Sequence, residues 1–187
     1  MPTPMTALSS GRSRSDAVHV GQGSHSVSAD PELMMSTVLG SCIATCLHDK
    51  ALQIGGMNHF VLPPGPSGRL QESVGVHLME VLVNDLMKQG CRRQDLVAKL
   101  FGGANVLVQG STVGERNIAF AQSFLSTEGI SCVAESVGGV RARLVRFWPA
   151  SGRAQQMLLA PTDGRLDELR TPAQQGTPED DLDELWD

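Results

Sequence analysis

The stretch MMSTVLGSCIATCL, residues 34–47, decides how this chain folds. It is apolar and rich in small or β-branched side chains, and Gly40-Ser41 interrupts it near its middle. Runs of this composition on both sides of a glycine break are typical of two strands joined by a tight turn. We therefore expect a strand, a turn at Gly40-Ser41 and a second strand.

The rest of the chain predicts further short strands and two helices. Further strands are expected from Val18 and over residues 53–62, 97–101, 130–135, 140–148 and 157–160. Apolar residues at helical spacing predict helices over residues 72–89 and 115–128, ended by Gly90 and Gly129. Together these elements predict an α+β fold in which mixed or antiparallel β-sheets pack as a sandwich with flanking helices.

The chain of 187 residues is long enough for one domain with a hydrophobic core and short for two. Residues 1–16 are rich in Ser, Pro, Thr, Gly and Arg without periodicity, so we expect a disordered lead-in. The domain is expected over residues 17–160. Residues 161–187 hold nine of the 20 acidic residues but two of the 15 basic ones, which predicts an acidic, disordered tail.

The end of that tail contains three apolar residues at the spacing of one helix face, namely Leu182, Leu185 and Trp186. Two hypotheses carry equal weight for this segment. It is either a docking peptide that becomes helical on a partner or a solvated acidic tail.

Composition narrows the classes of function. Aromatic residues make up 4% of the chain and the part before the tail is close to neutral, so we expect no nucleic-acid surface. No apolar run of about eighteen residues and no secretory signal occur, so we expect neither membrane insertion nor export. We interpret the four cysteines as reduced thiols of a soluble, cytoplasmic protein.

The residues best suited to chemistry are Cys42 and His59. The predicted turn presents Cys42 where a carbonyl can approach and where backbone N–H groups can face a developing oxyanion. A thiol needs a base to become the reactive thiolate, and His59 follows on the next predicted strand. The imidazole needs an orienting group, for which Ser36 and Thr37 are the nearest hydroxyl candidates.

Two other interpretations of these residues stay open at this point. A free cysteine in an apolar strand is most often a small core residue, which we expect for Cys46, Cys91 and Cys132. A zinc site would use the ligand set Cys42, Cys46, His48 and His59. Zinc ligands usually come in close pairs on a turn, whereas Cys42 and Cys46 span a predicted strand, which disfavours a metal.

Several motifs together resemble one known family. They are TVLGSCIATCLHD at residues 37–49, GGMNHFVLP at 55–63, KLFGGAN at 99–105, VGERNI at 113–118 and ESVGGVRAR at 135–143. With this spacing the chain resembles the CheD chemoreceptor glutamine deamidases over about residues 18–159. The Gly-Ser-Cys element with a histidine seventeen residues later is specific when both glycine-pair elements accompany it.

That resemblance implies a protein-glutamine glutaminase with a fold related to bacterial toxin deamidases. Cys42 would attack the amide of a receptor glutamine, His59 would transfer the proton, and water would hydrolyse the thioester, without a metal or organic cofactor. The family's third site residue is a threonine just before the cysteine, which matches either Ser36 or Thr37. The implied partners are the cytoplasmic domains of chemoreceptors, as substrate, and a CheC-type phosphatase.

A second hypothesis is a non-catalytic chemotaxis interaction module that docks on a CheC-type phosphatase or on a receptor. A pure adaptor needs neither Cys42 nor His59, so the presence of both favours the enzyme. A general cysteine protease is a third hypothesis, and it is disfavoured because papain- and caspase-type surroundings are absent.

Overall fold

The computed structural model describes residues 17–63, 69–106 and 112–169. The strands are β1 Ala17–His19, β2 His25–Ser28, β3 Met34–Leu39, β4 Ile43–Asp49, β5 Ile54–Phe60, β6 Leu96–Gly102, β7 Ser131–Val137, β8 Arg143–Trp148 and β9 Arg153–Leu158. The helices are α1 Arg69–Lys88 and α2 Val113–Thr127, with 3-10 turns at Arg93–Asp95 and Gly164–Leu169. The predicted lead-in over residues 1–16 and the apolar segment at the end of the tail lie outside the described residues.

The strands form two sheets. One has four strands in the order β1-β3-β8-β9, and the other has five in the order β2-β5-β4-β6-β7. Most neighbouring strands are antiparallel, whereas β1 with β3 and β6 with β7 are parallel pairs. The prediction of an α+β fold with mixed sheets is therefore confirmed.

The central strand β4 is buried on both faces, and this determines the layering. Successive side chains of a strand point to opposite faces. Ile43 and Leu47 join a core cluster with residues of the two helices. Ala44 and Cys46 face the other way and pack with buried residues of β3 and β8. The molecule consequently has three layers: the four-stranded sheet, the five-stranded sheet and the helix pair, which is the predicted sandwich with flanking helices.

Each helix covers the five-stranded sheet with one apolar face. The buried side chains of these faces are Met79, Leu82, Val83 and Leu86 of α1 and Ala121, Phe124 and Leu125 of α2. Burying one such large side chain contributes about 1.5–3 kcal/mol. The helices end as predicted, because Gly90 and Gly129 adopt φ of 98° and 66°, the left-handed conformation of a glycine cap.

The element boundaries differ from the prediction where the sequence lacks an apolar pattern. α1 begins at Arg69 rather than 72, and α2 begins at Val113 rather than 115. β2 was not predicted, because its residues HSVS are mostly polar and only half-buried. β9 begins at Arg153 rather than 157, because most of its residues are exposed and show no alternation.

The prediction that Cys132 is a core residue is wrong. Cys132 is exposed, whereas Cys46 and Cys91 are buried as expected. The reason is that β7 forms an edge of the five-stranded sheet and leaves most of its residues exposed.

The outer face of the four-stranded sheet carries a small apolar cluster around Val38. Leu166, in the 3-10 turn Gly164–Leu169, packs against this cluster. Ordered structure therefore continues beyond residue 160, where the sequence predicted the end of the domain. Within the parts of the chain that the structure describes, no helix has the length and apolarity needed to cross a membrane.

Candidate active site

The connection from β3 to β4 crosses from one sheet to the other, and Cys42 is its last residue. The segment that follows β6 holds this connection in place. The Gly103 N–H donates to the carbonyl oxygen of Cys42 at 2.8 Å, and the Ala104 N–H donates to that of Gly40 at 2.8 Å. Cys42 is consequently fixed at one end of the sandwich, with 8% of its surface exposed.

Gly102 permits the close approach of β6 to this turn. Its φ of 113° lies in the left-handed region that favours glycine. A Cβ atom at this position would lie 2.0 Å from the carbonyl oxygen of Cys42. Because the atoms that this Cβ would meet belong to the backbone and cannot rotate away, a side chain at residue 102 would displace the turn that carries the thiol.

Asn117 of α2 ties the same turn to the end of β5. Its side chain is buried, with Nδ2 donating to the carbonyl oxygen of Ser41 at 2.8 Å and Oδ1 accepting from the Leu62 N–H at 3.0 Å. Asn117 was not among the site residues predicted from the sequence. A polar side chain on the buried face of a predicted helix was the signal that could have found it.

His59 lies beside Cys42 across the pair of β4 and β5. His59 is directly opposite Ala44 in the register, and Cys42 precedes Ala44 by two residues. Residues two apart on a strand point to the same face, so Cys42 and His59 are diagonal neighbours on the face toward the four-stranded sheet.

Thr37 of β3 approaches His59 from the opposing sheet. Its Oγ1 lies 2.8 Å from Nδ1 of His59, and both side chains are buried. Ser36 is the preceding residue of the same strand, so its side chain points to the other face of the sheet. The structure therefore brings Thr37, and not Ser36, to the imidazole.

The carbonyl oxygen of Val20 defines the tautomer of His59. It lies 3.2 Å from Nδ1 and can only accept a hydrogen bond. Nδ1 consequently carries the proton and donates it to Val20 and to Thr37 Oγ1, which leaves the lone pair on Nε2. Nε2 is buried and has no hydrogen-bond partner among the described residues, as a base awaiting a proton requires.

Burial sets the protonation states of the pair. Desolvation raises the pKa of the Cys42 thiol to about 11, against a smaller opposing effect of its own backbone N–H. Desolvation also lowers the pKa of His59 to about 4, which the Val20 carbonyl opposes and the charge of His19 reinforces. At neutral pH the resting site thus holds a thiol and a neutral imidazole.

Gln22 contacts the sulfur atom, a contact that the sequence analysis did not find. The Cys42 thiol donates to Oε1 of Gln22 at an Sγ–Oε1 distance of 3.6 Å. Gln22 is exposed and lies in the turn between β1 and β2. Neither a motif nor a periodic pattern links these two residues, so no signal in the sequence could have found the contact.

The other residues of the alternative zinc set lie further along β4. Cys46 is buried in the middle of the strand, and His48 donates from Nδ1 to the carbonyl oxygen of Pro149 at 3.0 Å. Over residues 17–63, 69–106 and 112–169, no group of three or more His, Cys, Asp or Glu side chains is placed to hold a metal ion. The alternative ligand set is therefore not assembled.

Comparison with known proteins shows that this sequence is similar to chemotaxis proteins. A family model described as CheD, chemotactic sensory transduction, matches residues 66–157. A probable chemoreceptor glutamine deamidase CheD of Caulobacter vibrioides is 51% identical over 162 residues, covering 85% of this chain and 86% of that protein. A protein of the same name from Rhizobium meliloti is 52% identical over 146 residues, covering 76% of this chain and 80% of that protein.

Solved structures give more distant likenesses. The YfiH protein of Bacillus licheniformis matches with a TM-score of 0.42 and 11% identity, covering 60% of this chain and 49% of that one. A DUF152 protein of Neisseria meningitidis matches with a TM-score of 0.43 and 14% identity, covering 66% of this chain and 64% of that one.

Proposed function

We propose, since this chain belongs to the CheD family, that it is a protein-glutamine glutaminase that converts selected glutamines of chemoreceptors to glutamate. The relatives that support this proposal are named probable chemoreceptor glutamine deamidases and align over most of their own length. The reaction releases ammonia and proceeds through Cys42 and His59.

One observation carries the mechanism: Nδ1 of His59 is held between Thr37 Oγ1 at 2.8 Å and the Val20 carbonyl oxygen at 3.2 Å. This arrangement leaves the lone pair on Nε2, on the imidazole edge available to the thiol of the diagonal neighbour Cys42. Thr37 and Val20 are acceptors for the Nδ1 proton, so they also stabilise the imidazolium that forms when Nε2 takes a second proton.

The chemistry begins from a neutral pair. The raised pKa of Cys42 and the lowered pKa of His59 disfavour a resting thiolate–imidazolium pair. The proton therefore passes from sulfur to Nε2 of His59 as sulfur attacks the side-chain carbonyl carbon of the glutamine. The C=O electron pair moves onto the oxygen atom. The backbone N–H of Cys42, which faces the sulfur in the resting site, then donates to this oxyanion.

Three further proton transfers through His59 complete the cycle. His59 gives its proton to the departing nitrogen, so that the C–N bond breaks, ammonia leaves and a thioester remains on Cys42. His59 then removes a proton from water, the resulting hydroxide attacks the thioester, and the thiol leaves with the proton returned by His59. The product is a glutamate side chain.

The proposed activity implies a substrate, a location and a binding partner. We propose that the substrate segments belong to the cytoplasmic domains of chemoreceptors, and hence that the protein acts in the cytoplasm. A CheC-type phosphatase is proposed as a binding partner on the family resemblance. Co-elution of the two purified proteins in size-exclusion chromatography tests that partner separately.

Mass spectrometry of a receptor fragment tests the activity. Incubation of the purified protein with a chemoreceptor cytoplasmic fragment should convert particular glutamines to glutamates and release one ammonia for each conversion. His59→Gln should retain the fold and lose at least about 100-fold in rate, because the general base is removed. The control is His48→Gln, which should keep the rate. Binding of the fragment without any conversion would instead support the non-catalytic interaction module.

A further inference from the structure

The Gln22 side chain is the unexplained group at this site. Its Oε1 accepts from the Cys42 thiol at 3.6 Å, and among the described residues it is the side chain that hydrogen-bonds the sulfur. An amide has one acceptor and two N–H donors, so it is able to respond to the charge of the atom it faces.

The backbone that carries Gln22 is anchored to His59 of β5 and to β3. The Gly23 N–H donates to the His59 carbonyl oxygen at 2.7 Å, and the His59 N–H donates to that of Ser24 at 3.0 Å. The Val20 N–H donates to the Ser36 carbonyl oxygen at 2.9 Å. The Gln22 backbone is therefore positioned relative to both sheets, whereas its exposed side chain is able to rotate.

Two other amides near the site already donate to backbone carbonyl oxygens. Asn117 uses both ends of its side chain on Ser41 and Leu62. Asn58 accepts from the Thr45 N–H at 3.0 Å and donates to the Leu78 carbonyl oxygen at 3.1 Å. Of these three amides, Gln22 is the one whose side-chain nitrogen donates to no backbone carbonyl of a described residue.

We propose that Gln22 is a catalytic residue whose side-chain N–H donates to the oxyanion of the tetrahedral intermediate on Cys42. This inference rests on the proposed glutaminase function. It gives the oxyanion a second hydrogen-bond donor besides the backbone N–H of Cys42. Gln22 thereby completes a two-donor oxyanion site.

The thiol proton controls which end of the amide faces the site. In the resting enzyme the S–H group donates to Oε1, which holds the amide with its oxygen toward sulfur. When that proton moves to Nε2 of His59, no hydrogen remains between Oε1 and the sulfur, so Oε1 faces developing negative charge. Rotation of the Gln22 amide then exchanges Oε1 for its NH2 group, which donates to the oxygen that receives the C=O electron pair.

Kinetics on a receptor fragment give the first test. Gln22→Ala should lower kcat about 100-fold with little change in KM, because the lost interaction forms only in the transition state. Gln22→Glu should be slower than Gln22→Ala, because its carboxylate repels the oxyanion. The control Gln156→Ala, an exposed glutamine of β9, should match the wild type.

Two small probes of Cys42 give a second test that needs no receptor. Both are used in a Cys132→Ser background, since Cys132 is an exposed thiol. p-Nitrophenyl acetate acylates Cys42 through a tetrahedral oxyanion, with loss of p-nitrophenolate. Iodoacetamide alkylates the same sulfur by displacing iodide, without an oxyanion. Gln22→Ala should slow acylation at least about tenfold and leave alkylation unchanged or faster.

The outcomes separate this inference from the proposed function. If the wild type converts no receptor glutamine but Gln22→Ala slows acylation selectively, the proposed function fails and the oxyanion role stands. If the wild type is active and Gln22→Ala keeps its kcat, the Gln22 inference is overturned. Equal acceleration of both probes would also overturn it, because Gln22 would then only cover the thiol.

Discussion

The layer between the two sheets holds two cysteine–histidine groups, one at the start of β4 and one within the strand. The turn group consists of Cys42 and His59, and the strand group consists of Cys46 and His48. Cys42 follows a glycine-containing turn, and its thiol is hydrogen-bonded to the exposed Gln22. Cys46 instead lies in the middle of β4 with 1% of its surface exposed. Burial raises the pKa of Cys46 above that of Cys42 despite the nearby charge of Lys99.

The histidines differ in how their nitrogens are used. Nδ1 of His59 is held by Thr37 and Val20 while its Nε2 is unpartnered among the described residues. His48 bonds the carbonyl oxygen of Pro149, and its ring packs so closely on Gly152 that a Cβ there would lie 2.5 Å away. A position beside a turn and a histidine nitrogen without a partner among the described residues, and not residue type or exposure, therefore distinguish the candidate site from packing.

Removal of each thiol should give the largest contrast. Cys42→Ala should lower deamidation by at least about 10⁴-fold, because the covalent route is lost. Cys46→Ala should keep the rate of the folded enzyme and lower the free energy of unfolding by about 1 kcal/mol. Rates on a receptor fragment and urea unfolding curves measure the two effects. A large rate loss in folded Cys46→Ala would contradict the assignment of the reaction to Cys42 alone.

Removal of the two hydroxyls before the turn should lower kcat to very different extents, by about 100-fold for Thr37 and by little for Ser36. Thr37→Val should lower kcat about 100-fold, because Nδ1 loses an acceptor at 2.8 Å and the imidazole is less well oriented. Ser36→Ala should remain within about threefold of the wild type, since its side chain points away from His59. Similar losses in both variants would mean that Val20 alone orients the ring.

Substitutions at Gly102 and Gly152, both tightly packed, should separate an effect on rate from an effect on stability. Gly102→Ala and Gly152→Ala both force a Cβ into a left-handed position, at φ of 113° and 69°. Both should be less stable in thermal unfolding, but Gly102→Ala should also lower kcat of the folded protein on the order of tenfold by moving Cys42. Equal kcat values at a temperature where both variants are folded would contradict this expectation.

The pH dependence of stability should follow His59. Burial lowers its pKa to about 4 in the fold, from the 6.5 of an unperturbed histidine, so the unfolded chain binds more protons between these values. The free energy of unfolding should therefore fall as pH drops from about 6.5 to about 4, by up to about 3 kcal/mol. Denaturant titrations at several pH values measure this loss. His59→Gln should flatten the slope, because the variant has no titrating imidazole at this position.

Much of the fold follows from local pattern. The apolar residues around Gly40-Ser41 specify strand, turn and strand, and helical spacing with a terminal glycine specifies α1 and α2. Polar or exposed strands such as β2 and β9 were missed or misplaced because their residues carry no apolar alternation. Cys132 was misjudged because edge position depends on the order of strands in the sheet.

The sequence by itself determined a turn-borne Cys42, a histidine on the following strand and two adjacent hydroxyls. Only the tertiary structure decided that Thr37 meets His59, because the face of β3 that turns inward depends on how one sheet packs on the other. The contact of Gln22 with Cys42 arises in the same way, since two segments distant in the chain meet only where the sheets come together. Local propensity acts within a few residues, whereas a catalytic arrangement needs distances between strands that only packing sets.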